Sequence, residues 1–178
     1  MPDEKKEPWL GYLALTTVVL AVCATLATFK GGGYSTRQIM SQTRASDQWA
    51  YYQAKSVKSN LYEVGREALE LEAGALPAGA PRGVREAYAR RLDEYRAKMA
   101  KYDKEKDEIQ AEARRLEQVR DEAAGHGSAF GIAVIFLQIS ILLSSIAALL
   151  KQKHVWYLGM AVGLGGVLWF LDGFFLFL

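Results

Sequence analysis

The side chains in this sequence with types suited to chemistry are few, and they are far apart. Asp172 is the one acid within the long apolar stretches. An acid held in hydrocarbon is costly and marks an ion path or proton relay, whereas one near the headgroups is a solvated anchor. Asp172 lies about 25 Å along a helix past Val155, at 1.5 Å per residue, so both uses stay open. Gln138, Ser140 and Ser144 place polar groups in the preceding apolar stretch. With Asp172 they form the candidate pore or polar membrane residues. His126 and His154 are separated by that whole stretch and cannot meet in one metal site within a chain. Cys23 is the only cysteine, which excludes an intrachain disulfide and supplies too few ligands for zinc. Gly31-Gly32-Gly33 is no phosphate loop, because no Gly-Lys-Ser/Thr follows and no strand precedes it. Nothing resembles a nucleophile triad or a paired-carboxylate site. The expectation is therefore a protein that is not an enzyme, with no cofactor and no metal.

The elements that carry these residues follow from the apolar runs. Residues 129–150 and 155–178 contain no Lys, Arg or Glu, and each is long enough to cross roughly 30 Å of hydrocarbon. Only Lys151-Gln152-Lys153-His154 separates them. A third run covers 9–29. The spacing predicts an all-α membrane protein of three transmembrane helices, with a polar tail over 1–8. The tail is mixed in charge and the apolar run is too long for a signal peptide, so an uncleaved first span is expected, although Ala24 and Ala27 supply small residues near its end.

The bulk composition, 51% hydrophobic and 24% charged, hides this division. Eighteen of the 22 Lys and Arg and 16 of the 20 Asp and Glu fall between residues 30 and 128. That insert is nearly neutral, so a nucleic-acid partner is not expected. It reads as an extramembrane helical hairpin over 35–124, coiled-coil-like and antiparallel, inserted between the first and second spans. Its arms are 35–75 and 82–124, each roughly 60 Å long. The turn is 76–81, where Pro77, Gly79 and Pro81 break the pattern. In the first arm Ala50, Ala54, Val57, Leu61, Val64, Ala68 and Leu71 alternate at four and three, the spacing of a coiled-coil seam. In the second, Tyr88, Leu92, Tyr95, Met99, Tyr102, Lys106, Ile109, Ala113, Leu116, Arg120 and Ala123 do the same. Glycine clusters at 30–34 and 125–128 are expected to end the helices, either as hinges or as simple terminations.

Small residues mark the faces on which spans approach closely. Ala14, Thr17, Ala21, Ala24 and Thr28 form one stripe, and Gly159 and Gly163 stand four apart. Both sets are candidate oligomer contacts, against another span or another copy. Ser140, Ser144 and Ala148 make a further small face, and Gln138 should find a hydrogen-bond partner on another helix. Lys5, Lys6, Lys151 and Lys153 place the N-terminus and the 151–154 loop on the cytoplasmic side of a bacterial inner membrane, and the 30–128 insert on the periplasmic side.

The run Ala45-Ser46-Asp47-Gln48-Trp49-Ala50-Tyr51-Tyr52-Gln53-Ala54-Lys55-Ser56, with Leu61-Tyr62-Glu63 after it, resembles the signature of a bacterial membrane-protein family catalogued as domain-of-unknown-function family 4337. The order of one span, a charged helical insert and two close spans is similar as well. The resemblance implies this architecture and no activity. Trp49, Tyr51 and Tyr52 point in several directions around one helix, which suits an intersubunit contact, packing within the hairpin or ligand binding.

Three functions fit these readings. The first is a homo-oligomeric structural assembly or scaffold in the lipid bilayer. The second is an ion channel or ion-coupled complex using Gln138, Ser140, Ser144 and Asp172. The third is an adaptor bound to another membrane protein.

Overall fold

The computed structural model describes residues 8–177. They form three α-helices: α1 (Pro8–Gly74), α2 (Arg82–Leu150) and α3 (Lys153–Phe175). Each contains a stretch long and apolar enough to cross a membrane. The tail expected over 1–8 lies outside the described residues apart from Pro8, which opens α1. The loop expected at 151–154 is shorter. Lys151, left-handed at φ 51, and extended Gln152 alone connect α2 to α3.

The glycine clusters do not end helices. α1 runs unbroken through Gly31–Gly33, and α2 through Gly125 and Gly127. Steric room explains one of these positions. A Cβ on Gly31 would lie 3.2 Å from Phe130 Cβ, whereas one on Gly127 would make ordinary contacts with Tyr34 and Ser35 at 3.7–3.9 Å. A glycine inside a helix costs about 1 kcal/mol relative to alanine. That is small against the packing gained where two helix backbones come close.

The chain divides into two compact units, residues 41–118 and the remainder. In the 41–118 unit the two arms run antiparallel. Trp49 reaches Glu117, Lys55 reaches Glu105, Tyr62 meets Lys98 and Tyr95, and Glu72 accepts from Tyr88. The turn between them is where Pro77 and Pro81 place it. The Ala80 amide donates to Pro77 O at 2.9 Å, and the Arg85 guanidinium donates to Ala78 O at 2.6 Å.

The second arm packs on its expected seam. Ile109, Ala113 and Leu116 are buried, and Leu92, Tyr95, Met99 and Tyr102 are half-buried. The first arm does not. Ala50, Ala54, Val57, Leu61, Val64, Ala68 and Leu71 are all exposed. Its packed face is the opposite one: Ser41, Ala45, Tyr52, Lys55, Ser59 and Tyr62, continuing to Arg66 and Leu69 at the same four-three alternation. The spacing is right and the face is reversed. Long amphipathic side chains cover the second arm's apolar seam with their stems and rings while their polar ends pair.

In the other unit, residues 8–40 of α1 run antiparallel to 119–150 of α2. Trp9 and Leu13 cluster with Ala147, Leu20 and Ala24 with Leu137, and Ala27 with Phe130 and Ala133. Further along, Tyr34 stacks on His126 with ring centroids 4.6 Å apart. Cys23 is half-buried beside Leu20, Ala24 and Leu137.

Candidate functional site

The glycines of α3 allow α2 to approach within backbone contact. Ser140 Oγ donates to Gly159 O at 2.6 Å. A Cβ on Gly163 would come within 2.7 Å of Ser140 Oγ, and one on Gly166 within 3.0 Å of the Leu137 backbone nitrogen. On Gly173 it would strike the Phe130 ring at 2.7 Å. Gly159, Gly163, Gly166 and Gly173 are all buried. Thus Gly159 and Gly163 meet Ser140 of their own chain, with Leu20 of α1 also 3.2 Å from the Gly163 position. Ser144 is fully buried on the same face, and its Oγ has no hydrogen-bond partner among the described residues.

Asp172 is buried at 3% exposure, near the end of α3. Its carboxylate accepts from the Phe177 amide at 2.6 Å, while its carbonyl accepts from Leu176, which is left-handed at φ 48. The group caps the C-terminal end of the helix. One residue on, Gly173 O lies 2.9 Å from His126 Nδ1, so that ring nitrogen carries the proton. The other face of the imidazole is occupied by the Tyr34 ring. His154 is exposed at the other end of the unit. There Lys153 Nζ lies 5.9 Å over Trp9, and Trp156 Nε1 donates to Thr16 Oγ1 at 3.3 Å. The groove of about 260 Å³ between α1 and α3 is lined by Leu15, Thr16, Val19, Met160, Leu164 and their neighbours, with no titratable group.

Gln138 is placed differently from Ser140 and Ser144. It is exposed, and its side chain makes no hydrogen bond among the described residues. The antiparallel register sets it level with Ala21, because Leu20 and Ala24 flank Leu137. One heptad away on either side the same register sets Ala14 against Ser145, and Thr28 against Gly131. All six residues are exposed. On α2, Gln138 and Ser145 continue round the helix past Ile141, which faces α1, and away from Ser140, which faces α3. On α1, Ala14, Ala21 and Thr28 lie beyond Ala24 on the side away from Thr16, which meets α3. The six therefore line the side of the α1–α2 pair that α3 leaves uncovered. Of the stripe read from the sequence, Ala24 is buried and Thr17 half-buried, while Ala14, Ala21 and Thr28 face outward. Gly131 and Ser145 join this face only through the register with α1, which the sequence alone does not give.

In the 41–118 unit, Trp49 is half-buried. Its Nε1 donates to Glu117 at 2.9 Å, and its ring meets Tyr52 edge-on. Tyr51 is exposed, with Lys55 Nζ 5.2 Å over its ring. Lys55 also lies 5.3 Å from the Tyr102 ring and pairs with Glu105. The hydrogen bond to Glu105 holds the Lys55 ammonium above its usual pKa, and the same bond holds Glu105 below the ordinary glutamate value. Lys98 is raised likewise, by its hydrogen bond to the Tyr62 hydroxyl. These cations are already matched by rings and carboxylates, which builds a zip between the two arms rather than a ligand cavity. Among the described residues no three His, Cys, Asp or Glu come together to hold a metal.

The family model described as "Domain of unknown function (DUF4337)" matches residues 9–176. No curated protein and no solved structure matches the chain.

Proposed function

Because the chain belongs to the DUF4337 family, whose function is undefined, we propose its role from geometry: an integral membrane protein that works as a homo-oligomeric scaffold. The observation that carries this reading is the unpaired Gln138 amide on an exposed face of small residues. An amide left without a partner in hydrocarbon costs several kcal/mol. Small residues around it let another helix backbone come close enough to bond it. Glutamine both donates and accepts, so the same face on a second copy supplies a matching partner.

In this reading residues 9–29, 129–150 and 153–175 cross a bacterial inner membrane. The basic turn at Lys151 lies on the cytoplasmic side, and the charged 30–128 insert lies outside. The channel alternative has less support. Ser140 is bonded to Gly159, Asp172 caps α3, and Ser144 is enclosed between helices, so all three are buried inside the bundle of a single chain.

The test is the native mass of the full-length protein in mild detergent. A multi-copy assembly is expected, and Ala21→Phe should drive it toward smaller species by blocking close approach. A monomeric wild-type protein would refute the scaffold.

A further inference from the structure

Gly32 and Gly33 have no packing reason inside the chain. A Cβ built at either position meets nothing within 4 Å, although a glycine inside a helix costs about 1 kcal/mol relative to alanine. Their bare backbone is the floor of an open notch of about 700 Å³ on α1, with Phe29, Lys30, Tyr34 and Arg37 around it. Lys30, Gly33 and Arg37 stand three and four apart, so they share one helix face. Both cations are exposed, and residues 28–37 contain no acid. Lys30 Nζ lies 5.9 Å over the Phe174 ring, and neither cation forms a salt bridge among the described residues. The Thr28 and Thr36 hydroxyls donate to Ala24 O and Gly32 O, and the amides of 32 and 33 belong to an unbroken helix. Lys30 and Arg37 are therefore the charged donors that the notch offers. Toward the first apolar run the same face continues without charge. Val22, Leu26, Phe29 and Gly33 follow at four, three and four, and the first three are 54%, 49% and 78% exposed.

We propose that this notch binds an anionic phospholipid, its phosphate seated over Gly33 between Lys30 and Arg37 and an acyl chain lying along Phe29, Leu26 and Val22. The inference rests on the membrane reading, in which the span 9–29 ends at Lys30 and sets the notch at headgroup level. The two cations start roughly 10 Å apart along the helix axis, and each side chain is long enough to lean over the gap. The guanidinium can bond two phosphate oxygens at once, while the ammonium supplies a compact charge. A side chain at 33 would stand between them, which gives glycine a reason to be there. The occupant follows from the two halves of the face. A soluble phosphate would make no use of the apolar line, and an apolar helix would leave both charges uncovered. A phospholipid uses both. A zwitterionic headgroup brings a cation of its own and gains less from the pair, so the site favours an anionic one.

The experiment is native mass spectrometry of the full-length protein in mild detergent supplemented with phosphatidylglycerol or phosphatidylcholine of the same acyl chains. Wild type should retain phosphatidylglycerol in preference. Lys30→Gln combined with Arg37→Gln should weaken that retention by roughly 30-fold, about fivefold for each cation. Gly33→Leu keeps both charges but fills the notch, and it should weaken retention as well. The open space at 33 lets the helix accept the leucine, and circular dichroism checks the fold of every variant. Lys104→Gln combined with Arg114→Gln removes two exposed cations of the 41–118 unit and should change nothing. Full retention in the Lys30/Arg37 variant or in Gly33→Leu overturns the site. An equal loss in the Lys104/Arg114 control overturns it in favour of diffuse surface charge. Displacement of phosphatidylglycerol by millimolar glycerol phosphate overturns the lipid as occupant in favour of a soluble phosphate. A monomer that still retains phosphatidylglycerol refutes the scaffold and supports the site, whereas a protein that fails to float with vesicles refutes the membrane reading and the site with it.

Discussion

Gly165 and Gly166 are neighbours on α3 with opposite surroundings, and their alanine variants should behave oppositely. A Cβ at Gly165 would meet the Phe136 ring at 3.5 Å, an ordinary contact. At Gly166 it would lie 2.9 Å from Leu137 Cγ and 3.0 Å from the Leu137 backbone nitrogen. The leucine tip can rotate away, but the backbone nitrogen moves only if α2 and α3 separate by a few tenths of an ångström. That separation strains the nearby Ser140–Gly159 hydrogen bond of 2.6 Å and loosens the contact along its length. Overpacking of this kind costs about 1–3 kcal/mol. Both variants gain the same helix propensity, about 1 kcal/mol, so it cancels in the comparison. Gly166→Ala should therefore be less stable than Gly165→Ala by about 1–3 kcal/mol, roughly 5- to 150-fold in the unfolding equilibrium. Reversible unfolding in mixed micelles, followed by circular dichroism, measures the difference. Equal stability of the two variants would mean that α3 is not rotated onto α2 as described.

Two further outcomes follow from the hairpin and the spans. Glu105 is held below its ordinary value of 4.5, so the pair with Lys55 contributes fully above that pH and is lost as the pH falls through the depressed value. At the alkaline end it is lost as the pH rises through the raised value of Lys55, above 10.5. Unfolding of wild type and Glu105→Gln between about pH 3 and 5 should converge at the acid end, and parallel curves throughout would exclude the pair as a source of stability. The proposed topology predicts that Ala78→Cys in a Cys23→Ser background reacts with an impermeant maleimide in intact cells. Reaction only after lysis would reverse the orientation.

Much of the architecture was legible because its signals are local. Three apolar runs, the Pro77–Pro81 turn and the four-three periodicities depend on neighbouring residues alone. The glycine clusters do not mark helix ends because glycine has two uses. Gly31 serves close approach between helices, and that is visible only once Phe130 is known to lie across from it. Asp172 shows a similar limit. Its burial and its bond to the Phe177 amide depend on a left-handed Leu176, which no periodicity announces.

The reversed face of the first hairpin arm has a physical cause in the second. Tyr95, Tyr102, Lys98 and Glu105 project between the apolar residues of that arm, so whatever packs on it must satisfy rings, an ammonium and a carboxylate as well as bury carbon. Val57, Leu61 and Val64 offer no polar group, so Glu105 would keep only Lys101 of its own arm, at 3.8 Å, and Lys98 would lose the Tyr62 hydroxyl. Lys55 and Tyr62 meet both needs. Lys55 pairs with Glu105 while its stem lies beside Tyr102, and Tyr62 takes Lys98 on its hydroxyl and Tyr95 against its ring. The amphipathic face thus packs inside the chain, its stems and rings covering the second arm's apolar residues while its polar ends bond the groups that project between them. Left out of the hairpin contact, Val57, Leu61, Val64 and Leu71 stay exposed on the opposite side of the arm.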